Sequence, residues 1–312
     1  MAMPVLHSAA EWSAHIGERR QPVVMTIGNF DGVHRGHQAI LARVRERAAE
    51  LNAASAVLTF FPHPARVLRP ASAPLLIETL PQRLRDLEAQ GAGSVLVLRF
   101  DAEMARISAE DFVRIFLAEA MRARGVLVGE NFRFGHRQTG DVKMLAALGG
   151  KYGFEVGIVP PVEEGGVIIS SSGIRLAVRG GRVEDARKML GRPFALAGEI
   201  RPGTGVGRKL VVPTLNLTTE QELLPQNGVY ATEAEVRGKL YRAATNIGTR
   251  PTFDGTRLAI ESHLFGFYED LKDGPLEIRF HTRIRDERKF SGAVELKAQV
   301  LHDVEAAKKY FG

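Results

Sequence analysis

The sequence predicts an α/β fold class in two parts: a doubly wound parallel sheet, then an antiparallel β-barrel with a C-terminal helix packed on it. From about Pro22 to Val159, short apolar runs of β character alternate with segments of helical periodicity. From Phe194 to Ile284, strand-like runs follow one another without a helix between them. A last stretch, about Ala293 to Tyr310, returns to helical spacing. The expected domains are residues 1–186 and 187–312, with Gly191-Arg192-Pro193 as the linker.

In the first part, strands are expected at Val23–Gly28, Ala56–Phe61, Val95–Leu98, Val126–Val128 and Glu155–Val159. Helices are expected at Gln38–Leu51, Leu80–Gln90, Ala109–Ala123 and Asp141–Tyr152. Ile40, Leu41, Val44, Ala48 and Leu51 mark the apolar stripe of the first helix, and Phe112, Ile115 and Phe116 mark one face of the third. Short buried strands joined by amphipathic helices require right-handed crossovers and a parallel sheet. Ligands of such sheets sit beyond the carboxyl ends of the strands.

In the second part, Val183–Leu190 reads as a short helix. Strands are expected at Phe194–Ile200, Leu215–Leu217, Val229–Val236, Leu240–Ile247, Ala259–Phe265 and Leu276–Ile284. Arg237-Gly238-Lys239 reads as a hairpin turn between two of them.

Composition narrows the function classes. With 312 residues and 45% hydrophobic content, the chain can bury two cores. No apolar run approaches the roughly 20 residues of a membrane span, and Met1 to His15 lacks a secretion-signal pattern. The absence of cysteine excludes disulfides, thiolate metal sites and cysteine nucleophiles, so the cytoplasm is the expected compartment. Forty-two basic and 36 acidic residues give a net charge of +6, which suits phosphate-rich small ligands. The cations are scattered rather than interleaved with aromatics, so neither a nucleic-acid partner nor a membrane partner is expected.

The unusual residues fall in the loops that follow strands. Thr26-Ile-Gly-Asn-Phe-Asp-Gly-Val-His-Arg-Gly-His37 joins a strand to a helix start through a glycine-rich turn. Backbone N–H groups at a helix N-terminus favour an anion, His34 and His37 add imidazole donors, and Gly36 allows a phosphate to come close. Phe60-Phe61-Pro62-His63-Pro64 is a stiff aromatic loop that could pack against a flat ring system or simply belong to the core. Gly129-Glu130-Asn131-Phe132-Arg133-Phe134-Gly135 puts an amide and a guanidinium at the same edge. After an acidic loop at Glu163–Gly166 stands Ile169-Ser-Ser-Ser-Gly-Ile-Arg175. Its serines cap a helix, and Arg175 can meet a phosphate as a charged fork.

Three stretches stand out in the second part. Gly203-Thr-Gly-Val-Gly207-Arg208-Lys209 precedes Pro213-Thr214-Leu215-Asn216, so a glycine loop that can cradle phosphates is followed by oxygen ligands for a hard cation. The same loop is also compatible with a plain turn. Asn246-Ile-Gly-Thr-Arg250-Pro-Thr-Phe253 reads as a turn ending a strand. In Glu261-Ser-His263, alternation puts Leu258, Ile260 and Leu264 on one face and Glu261, His263 and Phe265 on the other. Glu261 is either a proton acceptor or an ordinary solvent-facing strand residue.

His-x-Gly-His after a first strand resembles the nucleotidyltransferase signature. The string from Gly28 through Phe30, Asp31 and His34 to His37 resembles that of bacterial bifunctional riboflavin kinase/FAD synthetases. The Pro-His-Pro loop with His63, the loop with Asn131 and the Ile-Ser-Ser-x-x-Ile-Arg run are similar to that family's loops, with Ser172 where threonine is usual. In the second part Pro-Thr-x-Asn, Leu224-Pro-x-x-Gly-Val-Tyr230, Asn-Ile-Gly-x-Arg-Pro-Thr-Phe, Glu-x-His-Leu and Ile284-Arg-x-Glu-x-Lys-Phe290 follow the order of riboflavin kinases.

The resemblance implies a nucleotidyltransferase domain that transfers an adenylyl group from ATP to FMN, and a barrel that phosphorylates riboflavin with ATP, Mg²⁺ serving both. It implies His34, His37, Ser171, Ser172 and Arg175 as the adenylyl-transfer residues, with Gly28, Phe30, Asp31, Gly36, His63 and Asn131 around the ligands. It implies Glu261 as the base for riboflavin, Thr214 and Asn216 as metal ligands, and Gly203, Gly205, Gly207, Lys209, Asn246 and Arg250 as binding residues. Val211 and Gly266 depart from the family pattern, which leaves a monofunctional FAD synthetase with a kinase-impaired barrel as the alternative. An RNA-binding scaffold is the rival from another class, and the scattered charge argues against it.

Overall fold

The computed structural model describes residues 2–19, 21–202, 213–252, 255–269 and 271–312. It divides into two compact units: Met1–Pro74 with Leu80–Ile169, and Leu75–Thr79 with Ser170–Gly312.

The first unit is built on a six-stranded parallel sheet. Its strands are β1 (Val5–Leu6), β2 (Val23–Ile27), β3 (Ala54–Phe61), β4 (Ser94–Arg99), β5 (Ala123–Gly129) and β6 (Glu155–Val159), in the order β1-β4-β3-β2-β5-β6. Five of these are the expected strands. The sixth, β1, is an edge strand of two residues, too short to show any periodicity in sequence. Helices α1 (Ala9–Arg19), α5 (Ala109–Phe112, continued as a π-helix over Val113–Ala120) and α6 (Val142–Tyr152) cover one face. Trp12, Phe112 and Leu145 pack there against Met25, Leu58 and Val126. Helices α2 (Arg35–Glu50) and α4 (Leu80–Ala89) cover the other, where Leu41 and Leu87 meet Val57 and Val95, and Val44 meets Val24. Alternate residues of each strand thus feed opposite cores, which accounts for the nearly unbroken apolar runs.

Two boundaries change the chemistry. Helix α2 begins at Arg35 rather than Gln38, so His34 is its N-cap and His37 lies in its first turn. The expected acidic loop at 163–166 is instead a two-stranded hairpin, β7 (Glu163–Glu164) and β8 (Val167–Ile168), turned by Gly165 and Gly166 at φ +57° and +77°.

The second unit is a closed antiparallel barrel. Its strands are β9 (Phe194–Arg201), β10 (Leu215–Thr218), β11 (Gly228–Val236), β12 (Lys239–Thr252), β13 (Gly255–Leu264) and β14 (Pro275–Asp286), in the order β10-β13-β12-β11-β14-β9. Leu196, Leu215, Ile247, Ile260, Leu264 and Phe280 fill the interior. A hydroxyl row crosses that apolar space: Thr245 Oγ1 lies 2.6 Å from Thr232 Oγ1 and 2.7 Å from Ser262 Oγ, so each buried group is satisfied. Arg237 and Gly238 turn the β11–β12 hairpin at φ +51° and +75°, the left-handed pair that a two-residue hairpin needs. The terminal helix α9 (Ala293–Phe311) lays Val304 and Ala307 on the outer face against Ala231 and Ala244.

One expected turn is corrected in this unit. Asn246 to Thr252 is not a turn but the continuation of β12, paired with β13 as far as Thr252↔Gly255. Gly248 and Pro251 look like turn residues, yet the hairpin ladder carries the strand past them.

Helices α7 (Ser171–Arg179) and α8 (Val183–Leu190) share the barrel's core through Ile174, Val178, Val183 and Leu190. So does a short strap, 75–79. Ile77 is 1% exposed in that core, and its carbonyl accepts from Gln221 Nε2 at 2.6 Å. Glu78 pairs with Arg192, and Arg175 Nε donates to the Leu75 carbonyl at 2.7 Å.

Candidate active sites

In the first unit the strand order reverses between β2 and β5, which is where an open parallel sheet leaves a crevice at its carboxyl edge. The histidine turn leaves the sheet there. Phe30, Gly32 and Val33 adopt φ of +49°, +90° and +34°, a run of left-handed backbone that side chains other than glycine rarely take. The turn persists because Phe30 and Val33 are buried anchors, packed with Leu41 and Val57. Asp31 is buried with them at 2% exposure.

His34 Nδ1 accepts from the His37 backbone N–H at 3.4 Å, and Gln38 Nε2 donates to the Val33 carbonyl at 2.8 Å. An accepting Nδ1 puts the ring proton of neutral His34 on Nε2, so the imidazole is a donor there. The two histidine rings stack with centroids 3.7 Å apart, and Phe30 lies 5.0 Å from His37. A β-carbon on Gly36 would lie 3.1 Å from the His34 ring. Expected residues His34, Gly36, His37, Phe30 and Asp31 therefore share one turn, with Gly28 at its entrance.

Beside this turn opens a cavity of about 710 Å³. Ile27, Gly28 and Asn29 line the end next to the turn. Phe60, Phe100, Phe112, Phe132 and Phe134 give it aromatic walls, while Asn131, Arg133 and Arg137 supply polar groups. Asn131 and Arg133, expected at one edge, both line the cavity. Phe60 faces the cavity, whereas Phe61 is 43% exposed and does not line it. His63 caps the short helix α3 (Pro64–Leu68), its Nδ1 accepting from the Ala65 N–H at 3.2 Å, and Pro64 and Leu68 reach the cavity.

The sequence did not point to the opposite wall. His136 Nδ1 donates to the Ala105 carbonyl and its N–H to the Ile107 carbonyl, both at 2.8 Å, which ties two loops across the cavity. The only signal was the aromatic spacing of Phe132 and Phe134.

Ser170 caps α7, its Oγ accepting from the Gly173 N–H at 3.2 Å. Ser171, Ser172 and Arg175 follow in that helix, which belongs to the second unit.

On the barrel, alternation along β13 holds: Ile260, Ser262 and Leu264 are buried inward, and Glu261 and His263 face outward, half-buried. Leu258, expected on the inner face, is 39% exposed near the strand's start. Glu261 pairs in register with Asn216 on β10 and with Asn246 on β12. Cross-strand neighbours stand about 4.5–5.5 Å apart, so a carboxylate is flanked by two amides in one outward row. His263 Nδ1 donates to the Pro213 carbonyl at 2.8 Å, which ties Thr214's segment to the same strand. Burial holds the His263 imidazole below its ordinary range, and Lys308 adds to this. Thr214 lines a small adjoining pocket of about 60 Å³. Expected residues Gly203, Gly205, Gly207 and Lys209, with Val211, lie outside the described residues, as does the Arg250 side chain.

Two family models match the chain in tandem, FAD synthetase over residues 16–173 and riboflavin kinase over residues 190–311. The protein of Escherichia coli K12 described as bifunctional riboflavin kinase/FMN adenylyltransferase is 37% identical over 290 residues, covering 93% of each chain. This chain belongs to that family. The riboflavin kinase/FMN adenylyltransferases of Pseudomonas fluorescens (38% identical, covering 91% of this chain and 92% of that one) and Haemophilus influenzae (34%, covering 93% and 95%) match along the same length. A crystal structure from Streptococcus pneumoniae described as a macrolide-efflux protein superposes with a TM-score of 0.87 at 28% identity, covering 99% of both chains. Among the described residues, no helix is long and apolar enough to cross a membrane.

Proposed function

We propose that the chain makes FMN from riboflavin and ATP on the barrel, and FAD from FMN and ATP in the α/β domain. The functional division we assign is 1–186 for adenylyl transfer and 187–312 for the kinase. The observation that carries the reading is the aromatic cavity lined by Gly28 and Asn29, the residues that lead from β2 into the histidine turn. It offers a flat-ring site beside an anion site.

In adenylyl transfer, an FMN phosphate oxygen attacks the α-phosphorus of ATP and pyrophosphate leaves. The nucleophile is already ionised near neutral pH, so the protein's task is to position two anions and neutralise developing charge. We assign this task to His34 and His37, with the N–H groups opening α2, and to Ser171, Ser172 and Arg175. Asn131 holds the ligand at the cavity edge, while Asp31 and Phe30 hold the turn.

In the kinase, the Glu261 carboxylate accepts the proton of the ribityl 5′-hydroxyl as the γ-phosphoryl group transfers and ADP leaves. Asn246 and Asn216 flank it, and Gly203, Gly205, Gly207, Lys209 and Arg250 are assigned to nucleotide and flavin. A Thr214 hydroxyl and an Asn216 amide oxygen are hard donors that fit Mg²⁺, and no cluster of three His, Asp or Glu suited to a metal occurs among the described residues. Both residues fit an ion carried largely by ATP phosphates, and the metal would supply charge neutralisation. Gly266 sits in an open turn at φ +70°, where glycine is the natural occupant, so its departure from the family pattern does not touch Glu261. The substrates are small molecules, without nucleic acid or membrane, and we place the enzyme in the cytoplasm.

The test is to incubate the protein with Mg-ATP and riboflavin, and separately with FMN, and to resolve the flavins by chromatography. Riboflavin should yield FMN and FAD. Glu261→Gln should cut FMN formation by on the order of 10²–10⁴-fold and leave FMN-to-FAD conversion intact. Untouched riboflavin alongside converted FMN would show a barrel without kinase activity.

A further inference from the structure

Arg35 stands between the two histidines as the first residue of α2, a helix with no acidic residue in its first turn. Its guanidinium is ion-paired through Nη1 with Glu164 Oε2. Glu164 ends the first strand of the β7–β8 hairpin, next to the Gly165-Gly166 turn. All four strand residues of that hairpin are exposed, Val167 by 66% and Ile168 by 50%, so apolar packing does not hold it down. The chain is fixed again only at Ile169, which is buried and donates its N–H to the Val162 carbonyl at 2.9 Å. The Ile169 carbonyl lies 3.8 Å from where a Gly36 β-carbon would be, so the hairpin springs from the edge of the anion site itself.

Resting on the adenylyl-transfer reading, we propose that Arg35 is the clamp for the pyrophosphate half of ATP, and that Glu164 holds its guanidinium while the nucleotide is absent. The Arg35 and Glu164 side chains are 40% and 44% exposed, and an ion pair so wet is weak. A triphosphate offers several charged oxygens, and a guanidinium binds phosphate through paired, charge-assisted hydrogen bonds. The helix terminus already favours that anion. Binding therefore moves Arg35 from Glu164 to the phosphates and releases the hairpin from this ion pair. The same contact follows the pyrophosphate as it departs, so Arg35 acts on nucleotide affinity and on product release.

The two partners are predicted to have opposite effects. Arg35→Gln removes the clamp and should raise the KM for ATP in FMN adenylylation by about tenfold or more, with pyrophosphate inhibition weakened in parallel. Glu164→Gln removes the competitor and should lower the KM for ATP two- to fivefold with kcat unchanged. Riboflavin phosphorylation by the same preparations reports folding and should not change. In hydrogen exchange, a non-hydrolysable ATP analogue should reduce protection at residues 163–168 of the wild type. If Glu164→Gln weakens ATP as much as Arg35→Gln does, the pair is a brace and the clamp is overturned. An unchanged KM in Arg35→Gln overturns it as well. Failure of the wild type to convert FMN to FAD would instead remove the adenylyl-transfer reading on which the clamp depends.

Discussion

At Gly36 a single methyl group is enough to test the proposed adenylyl-transfer site. Its β-carbon would come within 3.1 Å of the His34 Cε1 and Nδ1 atoms, so the ring must shift by a few tenths of an ångström. Gly36→Ala should lower FMN adenylylation without affecting riboflavin phosphorylation. His34→Ala, which deletes the donor outright, should cost on the order of 10²–10³-fold in kcat. Equal turnover in wild type and Gly36→Ala would mean that the His34 ring position is not critical. The histidines, glycines and asparagine of this site could be read from the sequence because each lies in a short loop directly after a strand. Arg35 and Glu164 could not be paired that way. They are 129 positions apart, and their meeting depends on the hairpin folding back over the start of α2.

On the scale of elements, β13 couples stability to pH. Burial, reinforced by Lys308, holds the folded His263 imidazole below the ordinary 6.5, while the unfolded chain takes up its proton near that value. The unfolded state then binds more protons as the pH falls, so the contribution of His263 is complete above about pH 6.5 and is lost below it. Denaturant midpoints of the barrel measured from pH 7.5 to 5 should fall more steeply for the wild type than for His263→Gln. Parallel curves would exclude this titration.

In the first unit, Gly135 has φ +72°, and a β-carbon there would lie 2.5 Å from the Ala109 Cα. Gly135→Ala should push the cavity wall off the start of α5 and raise the KM for FMN several-fold, read by flavin chromatography. Short apolar runs in the first unit and strand-like runs in the second revealed most strands within two residues of their ends. It failed where the signal was short, as at β1. It also failed where a hairpin ladder overrode glycine and proline, as along Asn246 to Thr252.

For the molecule as a whole, the two compact units do not coincide with two uninterrupted stretches of sequence. The order of the family signatures was plain along the chain, but no local pattern marks 75–79 as part of the barrel's core, because one isoleucine carries the packing. Ile77→Ala should therefore destabilise the second unit by about 2–5 kcal/mol, the usual range for deleting a buried isoleucine side chain. The transition of the first unit should stay where it is. Denaturation followed by hydrogen exchange in the strands of each unit checks this, and a shift confined to the first unit would contradict the placement of the strap.

The strap also sets an order of events during synthesis. Residues 75–79 leave the ribosome before more than half of the chain, while the barrel strands that cover Ile77 begin only at Phe194. At about 5–20 residues per second, that apolar side chain waits many seconds for its partners. The nascent first unit must close around a segment that it will not keep.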